Sequence, residues 1–138
     1  MKKVLVGGCF DLLHFGHISF LKSAKTYGDY LVVALESDEN VKHSKGETRP
    51  IHSQHQRKQM LESLKCVDEV LSLPPMKSDT EYAKLVTDIH PTVIAVTEGD
   101  PMIEKKQAHA SLVHASVVSI PKIHTPSTSA LAKLLDLE

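Results

Sequence analysis

The sequence lacks the features that mark several classes of protein. Cys9 and Cys66 are the only two cysteines in 138 residues. They form no C-x-x-C pair, which argues against a disulfide framework and against a zinc ribbon. Sixteen lysines and arginines nearly balance seventeen aspartates and glutamates, and the two signs are interspersed. Without a basic stripe or a polybasic tail, we expect neither nucleic acid nor a membrane surface as a partner.

Long apolar runs are also missing. Nowhere do about 18 apolar residues run together, as a membrane-spanning helix requires. Met1-Lys2-Lys3 is followed by only a few apolar residues, without the longer apolar core and cleavage site of a signal peptide. We therefore expect a cytoplasmic protein. A length of 138 residues suits one domain with its own core, and we expect a single domain over residues 1–138.

Apolar runs rich in β-branched residues alternate with helical patterns along the chain. Strands are predicted at residues 3–6, 30–35, 67–73, 92–96 and 116–120. Helices are predicted at residues 18–26, 54–64, 79–89, 102–113 and 129–137, with Ser53 and Asp79 as the expected caps of the second and third. This alternation predicts βαβ units and hence a Rossmann-like α/β fold, a three-layer sandwich with a five-stranded, mostly parallel sheet.

Polar segments follow four of the predicted strands. Ligands of an open parallel sheet bind beyond the carboxyl ends of its strands. We therefore expect one crevice to be lined by residues 8–17, 36–57, 97–101 and 122–129. Residues 36–52 are polar with few apolar positions, and we interpret them as a long loop of functional importance.

The most informative run is GGCFDLLHFGH at residues 7–17, directly after the apolar Val4-Leu5-Val6. It predicts a strand that ends in a glycine turn and leads into a helix with His14 and His17 near its start. Neither a dinucleotide fingerprint nor a P-loop is present. The spacing of the two histidines is compatible with phosphate binding, with helix capping or with a pair of metal ligands.

Residues 8–17 resemble the signature of the cytidylyltransferase-like nucleotidyltransferases, which is H-x-G-H after a G-x-F-D turn. Residues 27–34 are similar to the second-strand region of the glycerol-3-phosphate cytidylyltransferase branch. The segment KGETRP at 45–50, followed by Gln56-Arg57, resembles the adenylyltransferase domain of the ADP-heptose synthase branch, and archaeal FAD synthetases share similar turns. The resemblance covers nearly the whole chain.

The resemblance implies an enzyme in which an acceptor phosphate attacks the α-phosphate of ATP or CTP and pyrophosphate leaves. Mg²⁺ is the implied cofactor, without a metal ligand assigned to any protein side chain, and a homodimer is implied by the resemblance alone. The expected catalytic residues are His14, His17 and Lys45; the expected nucleotide-binding residues are Gly8, Cys9, Phe10, Gly16, Glu98, Asp100, Ser127, Thr128 and Ser129; the expected acceptor-binding residues are Asp11, Arg49, Arg57 and Lys122.

Several of these residues have a plainer interpretation. Asp11 could cap a turn, Asp100 could cap a helix beginning near Pro101, and residues 127–129 could form an ordinary helix N-cap. Lys42 and Lys45 could be solvated, and the arginines could form surface ion pairs. We expect Cys9 to act through its backbone N–H and not as a nucleophile. Lys122 stands where many relatives of this type carry an arginine, and it would keep the charge without bidentate binding.

Transfer from ATP to a sugar 1-phosphate is the favoured activity, because of the segment at 45–57. The alternatives are transfer from CTP to glycerol 3-phosphate, a catalytically weak nucleotide-binding module, and a metal-binding domain built on His14 and His17. For these two rings we expect a neutral or mixed protonation state, which shifts toward the cation when a polyphosphate binds.

Overall fold

The five strands form a single sheet in which every pairing is parallel. The computed structural model describes residues 1–123 and 133–134. The spatial order of the strands is β3-β2-β1-β4-β5. Their bounds are β1 Lys3–Gly8, β2 Tyr30–Leu35, β3 Glu69–Ser72, β4 Val93–Thr97 and β5 Ser116–Ile120. All five strands were predicted from the sequence, and their ends differ from the predicted ones by two residues at most.

The helices are α1 Phe15–Lys25, α2 Asp38–Lys45, α3 Gln54–Glu62, α4 Asp79–Ile89 and α5 Ile103–Leu112. The predicted helix at 129–137 falls mostly outside the described residues. Among the described residues, none of the helices has the length and apolar character needed to cross a membrane.

Side-chain alternation along the strands builds two cores, one on each face of the sheet. On one face Val4 and Val33 contact a cluster that includes Leu21 of α1 and Leu61 of α3. On the other face Leu5, Val32 and Ile94 belong to a cluster that contains residues of α4 and α5. Because successive residues of a strand point to opposite faces, an unbroken apolar strand is buried on both sides. The predicted three-layer sandwich is confirmed, with a sheet that is parallel throughout.

The interpretation of residues 36–52 as a loop was wrong in part, because α2 lies within them. Ser37 caps this helix, and its Oγ accepts a hydrogen bond from the backbone N–H of Asn40 at 3.1 Å. Val41 is the one buried residue of α2, so the sequence carries no apolar stripe from which a helix could be predicted. Acidic residues in its first turn and basic residues in its last turn complement the helix dipole instead.

The two predicted helix caps had different outcomes. Ser53 caps α3 as predicted, with its Oγ accepting from the backbone N–H of Gln56 at 3.2 Å. Asp79 was the wrong cap for α4, since Ser78 holds that position in a capping box with Glu81. Asp79 is the first helical residue, where its carboxylate contacts Nε2 of His109 at 2.9 Å. A serine hydroxyl and the carboxylate of the next residue compete for the same backbone N–H groups. The sequence alone does not decide which of the two caps the helix.

Candidate active site

A cavity of about 650 Å³ lies at the carboxyl ends of β1, β4 and β5. Each of the four segments expected to line one crevice contributes to it, as far as the described residues extend. The contributing residues include Gly8, Cys9, Phe10, Asp11, His14, Gly16, His17, Lys45, Arg49, Thr97, Asp100 and Lys122. Glu98 is exposed and does not line this cavity, and Ser127, Thr128 and Ser129 lie outside the described residues.

The turn between β1 and α1 is tight and strained. Phe10 and Leu12 adopt left-handed backbone conformations, with φ of 47° and 57°, which cost energy for residues other than glycine. A Cβ atom on Gly8 would lie 2.9 Å from the ring of Phe10, so the ring needs a glycine at this position. Phe10 is buried, and its ring meets His17 edge-on with 5.5 Å between centroids. The turn therefore uses Phe10 to hold the ring of His17.

His14 and His17 form the start of α1 as a reciprocal pair. His14 is the N-cap, and its Nδ1 accepts from the backbone N–H of Gly16 at 3.0 Å. Nδ1 of His17 accepts in turn from the backbone N–H of His14 at 3.3 Å. The rings stack with 4.0 Å between centroids. Because Nδ1 is the acceptor in both neutral rings, the proton lies on Nε2, which leaves two Nε2–H donors for a ligand in the cavity.

Both rings favour the neutral state. Burial, with smaller contributions from His14 and Lys45, lowers the pKa of His17 to about 4. Burial also lowers the pKa of His14. These directions agree with the neutral or mixed protonation state expected for the ligand-free protein, and they favour its neutral form. The pair can therefore donate hydrogen bonds to a phosphate near neutral pH while carrying little charge of its own.

Asp11 is buried and organises the segment that follows α2. One carboxylate oxygen accepts from Nε of Arg49 at 2.8 Å and from the backbone N–H of Ile51, and the other accepts from the backbone N–H of His52 at 3.0 Å. Burial raises the pKa of Asp11, but these donors outweigh it and the net pKa is lowered. Asp11 therefore organises the turn and also forms a buried ion pair with Arg49.

Arg57 is also buried, and its guanidinium joins three parts of the chain. It donates to the carbonyl oxygen of Cys9 at 2.7 Å, to that of His52 at 3.1 Å and to the carboxylate of Asp38 at 2.7 Å. Its side chain has no exposed surface. The alternative of a surface ion pair is therefore wrong for Arg57, which ties the β1 turn to α2 and α3.

The turn after β4 is closed by Asp100. Its carboxylate accepts from the backbone N–H of Met102 at 2.8 Å and from Nζ of Lys106 at 2.5 Å. The N-cap of α5 is Met102, which makes no side-chain cap hydrogen bond. The alternative in which Asp100 caps a helix beginning near Pro101 was therefore wrong by two residues. Because Pro101 lacks an N–H, the first donor that Asp100 can reach is that of Met102.

Lys45 and Cys9 both line the first cavity. Lys45 is the last residue of α2 and lines the cavity, close enough to His17 to help lower that ring's pKa. Burial raises the pKa of the Cys9 thiol, which keeps it protonated and argues against a nucleophile.

Metal ligands are sparse in the described part of the chain. Within residues 1–123 and 133–134, no group of three or more histidine, cysteine, aspartate or glutamate side chains could hold a metal ion. His14 and His17 supply two side chains and not the three that such a group needs. Nδ1 of each ring already accepts a backbone hydrogen bond.

Two features of the site were not predicted. Lys106 of α5 reaches the cavity, and a second cavity of about 300 Å³ lies between the sheet and the helices α4 and α5. At its rim the hydroxyl of Tyr82 donates to the carboxylate of Glu36, at 2.9 Å to the nearer oxygen. The polar Glu36 directly after β2 was a signal that could have marked this rim. For Lys106, spacing alone offered no signal, because it depends on how α5 is seated on the sheet.

The cytidylyltransferase-like family model matches residues 5–131. The chain belongs to this family. The family expected from the sequence is therefore confirmed, and residues 8–17 lie within the matched range. The domain is a nucleotidyltransferase domain with a Rossmann-like fold.

Two relatives are similar to this chain over most of its length. The chain is 36% identical over 136 residues to the FAD synthase of Thermococcus sibiricus, covering 96% of this chain and 89% of that protein. It is 41% identical over 132 residues to the bifunctional protein HldE of Wolinella succinogenes, covering 96% of this chain. The chain spans only about a quarter of that protein, 26% of its length.

A solved structure agrees with this fold. The lipopolysaccharide core biosynthesis protein from Thermoplasma volcanium has a TM-score of 0.70 and 26% sequence identity. The match covers 89% of this chain and 97% of that protein.

Proposed function

We propose that this chain transfers the AMP moiety of ATP to the phosphate of a sugar 1-phosphate and releases pyrophosphate. An oxygen of the acceptor phosphate attacks the α-phosphorus, a new P–O bond forms, and the bond to the bridging oxygen of the β-phosphate breaks. The protein supplies no nucleophile in this reaction. Its contribution is to position the two substrates and to stabilise the charge that develops on the transferred group.

The stacked pair of His14 and His17 is the observation that supports this proposal best. Two Nε2–H donors lie at the start of α1, where the helix dipole also attracts anions. Lys45 lines the same cavity and supplies positive charge. We assign all three side chains to binding of the triphosphate. We also assign the backbone of Gly8, Cys9 and Gly16 to the wall that the triphosphate approaches closely.

Mg²⁺ fits this site only as part of the nucleotide complex. The carboxylate of Asp11 already accepts three hydrogen bonds, and Asp100 is held by Lys106 and Met102. Mg²⁺ commonly keeps several waters and binds substrate phosphates. The ion would then neutralise phosphate charge, while the residues of this chain orient the triphosphate.

The segment at residues 45–57 supports the sugar phosphate, since it resembles the ADP-heptose synthase branch and the chain is 41% identical to an HldE protein. The similarity to an FAD synthase favours flavin mononucleotide as a second candidate acceptor. FAD is the product of AMP transfer to that nucleotide. The mostly apolar lining of the second cavity is the structural feature that favours an acceptor with a flat aromatic ring system, such as that of flavin mononucleotide.

Pyrophosphate release tests the proposal. ATP and CTP are each combined with Mg²⁺ and with a heptose or hexose 1-phosphate, flavin mononucleotide or glycerol 3-phosphate. We expect release with ATP and a sugar 1-phosphate. Release only with flavin mononucleotide would select the second candidate acceptor. Release only with CTP and glycerol 3-phosphate would contradict both the proposed nucleotide and the proposed acceptor. Nucleotide binding without turnover on any pair would leave the weak nucleotide-binding module as the explanation.

We also propose that the domain over residues 1–138 acts as a homodimer, which sedimentation of the purified chain would test. A monomer at the concentrations that support full turnover would contradict this part of the proposal.

A further inference from the structure

The second cavity adjoins the first at the ends of β1 and β4. Gly7, Gly8, Ala95 and Lys106 line both cavities. The two glycines have no side chain and Ala95 has only a methyl group, so small residues form most of the shared wall. Lys106 is the exception, with a long cationic side chain at the boundary.

The second cavity is suited to an organic molecule and not to a polyphosphate. Its walls include Leu5, Leu73, Val86 and Ile94, and its polar rim includes the Tyr82 hydroxyl bonded to Glu36. Burial and Glu36 raise the pKa of Tyr82 to about 12, so the hydroxyl stays protonated. An apolar wall with few polar groups at the rim is the usual form of a small-molecule site.

Positive charge in the first cavity comes from lysines. Arg49 is buried against Asp11, and Arg57 is buried against two backbone carbonyls and Asp38. The two histidines favour the neutral state. Of the described residues, Lys45, Lys106 and Lys122 are the lysines that line the first cavity. Lys106 alone among them also lines the second.

Lys106 is held in a way that allows exchange. Its Nζ lies 2.5 Å from the carboxylate of Asp100, and about a third of its side chain is exposed. Asp100 also accepts from the backbone N–H of Met102. The carboxylate would therefore keep one partner if Lys106 moved to another anion.

We propose that Lys106 binds the phosphate of the acceptor while the body of the acceptor occupies the second cavity. This inference rests on the proposed transfer of AMP to a phosphorylated acceptor and holds for either of the two candidate acceptors. The phosphate that attacks must reach the nucleotide in the first cavity and remain attached to a body in the second, so it lies at their boundary. Lys106 is the cation at that boundary, and it exchanges Asp100 for the acceptor phosphate.

The test compares Lys106→Met with Lys106→Arg and with Lys84→Met as the control. Lys84 is exposed on α4 and forms a comparable ion pair with Asp88 at 2.8 Å. We expect Lys106→Met to raise the KM for the acceptor about 10- to 100-fold, as for a lost hydrogen bond to a charged group. Affinity for a non-hydrolysable ATP analogue stays within about twofold of wild type, and Lys106→Arg restores part of the acceptor affinity.

Two kinetic results would overturn the inference. One is a Lys106→Met variant with the same acceptor KM as Lys84→Met. The other is a loss of affinity for the ATP analogue with an unchanged acceptor KM, which would assign Lys106 to the nucleotide.

A binding measurement separates this inference from the proposed function. Inorganic phosphate is titrated into the complex with the ATP analogue, and the ε-carbon resonance of Lys106 is followed by NMR, assigned by its loss in Lys106→Met. We expect a saturable shift of that resonance even if no acceptor in the panel is turned over. An unchanged Lys106 resonance would refute the inference, whereas absent turnover in the wild type would refute only the proposed function.

Discussion

Nε of Arg49 donates to the carboxylate of Asp11 at 2.8 Å, and both side chains are buried. The two residues are 38 positions apart, on the turn after β1 and on the segment after α2. Their contact therefore fixes the turn that carries the histidines against the segment that follows Lys45. A site built from distant loops needs such a connection, because loops are otherwise more mobile than the sheet.

Loss of the Asp11 carboxylate should break this contact and destabilise the fold. We expect Asp11→Ala to lower the free energy of unfolding by about 3–5 kcal/mol, since it breaks the buried ion pair with Arg49 and removes the acceptor of the Ile51 and His52 backbone N–H groups. Urea unfolding measures the loss, and Asp88→Asn at an exposed ion pair serves as the control, with a change of about 0.5 kcal/mol or less. A loss no greater than that of the control would show that the ion pair contributes little.

Acid should remove the same contribution. The pKa of Asp11 is lower in the folded protein than in the unfolded chain, so its contribution is present above the unfolded pKa of about 3.9. It is lost as the pH falls through the folded pKa. The stability difference between wild type and Asp11→Asn should therefore be full at neutral pH and shrink below about pH 4. A difference independent of pH down to the acid transition would contradict this assignment.

Replacement of Arg57 separates a structural role from phosphate binding. Arg57→Lys keeps the charge but cannot reach Cys9, His52 and Asp38 together, and each buried carbonyl left without a donor costs about 1–3 kcal/mol. We expect a lower melting temperature and, well below it, unchanged affinity for an ATP analogue. An unchanged melting temperature with weakened nucleotide or acceptor binding would instead support the substrate-binding role predicted from the sequence.

His17→Ala should lower turnover sharply and leave the fold intact. The substitution removes one Nε2–H donor to the triphosphate, for which a rate loss of about 10²–10³-fold is typical. The lost hydrogen bond to the backbone N–H of His14 costs about 1 kcal/mol of stability. Pyrophosphate release and circular dichroism measure the two effects, and His55→Ala, on an exposed residue of α3, is the control. Near-normal turnover would refute the role of His17.

Lys45 and Lys42 offer a matched comparison within α2. Lys45 lines the cavity, whereas Lys42 is exposed and pairs with Glu47 at 3.2 Å. We expect Lys45→Met to lower kcat about 10²–10³-fold, because it removes charge stabilisation of the transition state. Lys42→Met should stay within about twofold of wild type. Equal effects of the two variants would exclude a specific role for Lys45.

The fold and the reaction class were accessible from the sequence because their signals are local. Alternating apolar runs and helical periods predicted all five strands and the three-layer fold, and ten consecutive residues carried the family motif. Helix α2 was missed because a single buried valine leaves no period to detect. Asp79 was misplaced by one position because the neighbouring Ser78 caps α4. Asp100 was misplaced by two because Pro101 has no N–H and α5 begins only at Ile103.

The sequence by itself determined an α/β fold built on a parallel sheet, with a glycine turn and two histidines after the first strand. Strand and helix periods act over a few residues, and a glycine turn before two histidines is contained in one short segment. Only the tertiary structure decided that Asp11 holds Arg49, that Arg57 is buried among three segments, and that Lys106 lies between two cavities. These contacts join residues far apart in the chain, and burial together with strand order selects their partners. The same burial keeps His17 neutral, a state that its spacing from His14 could suggest but not establish.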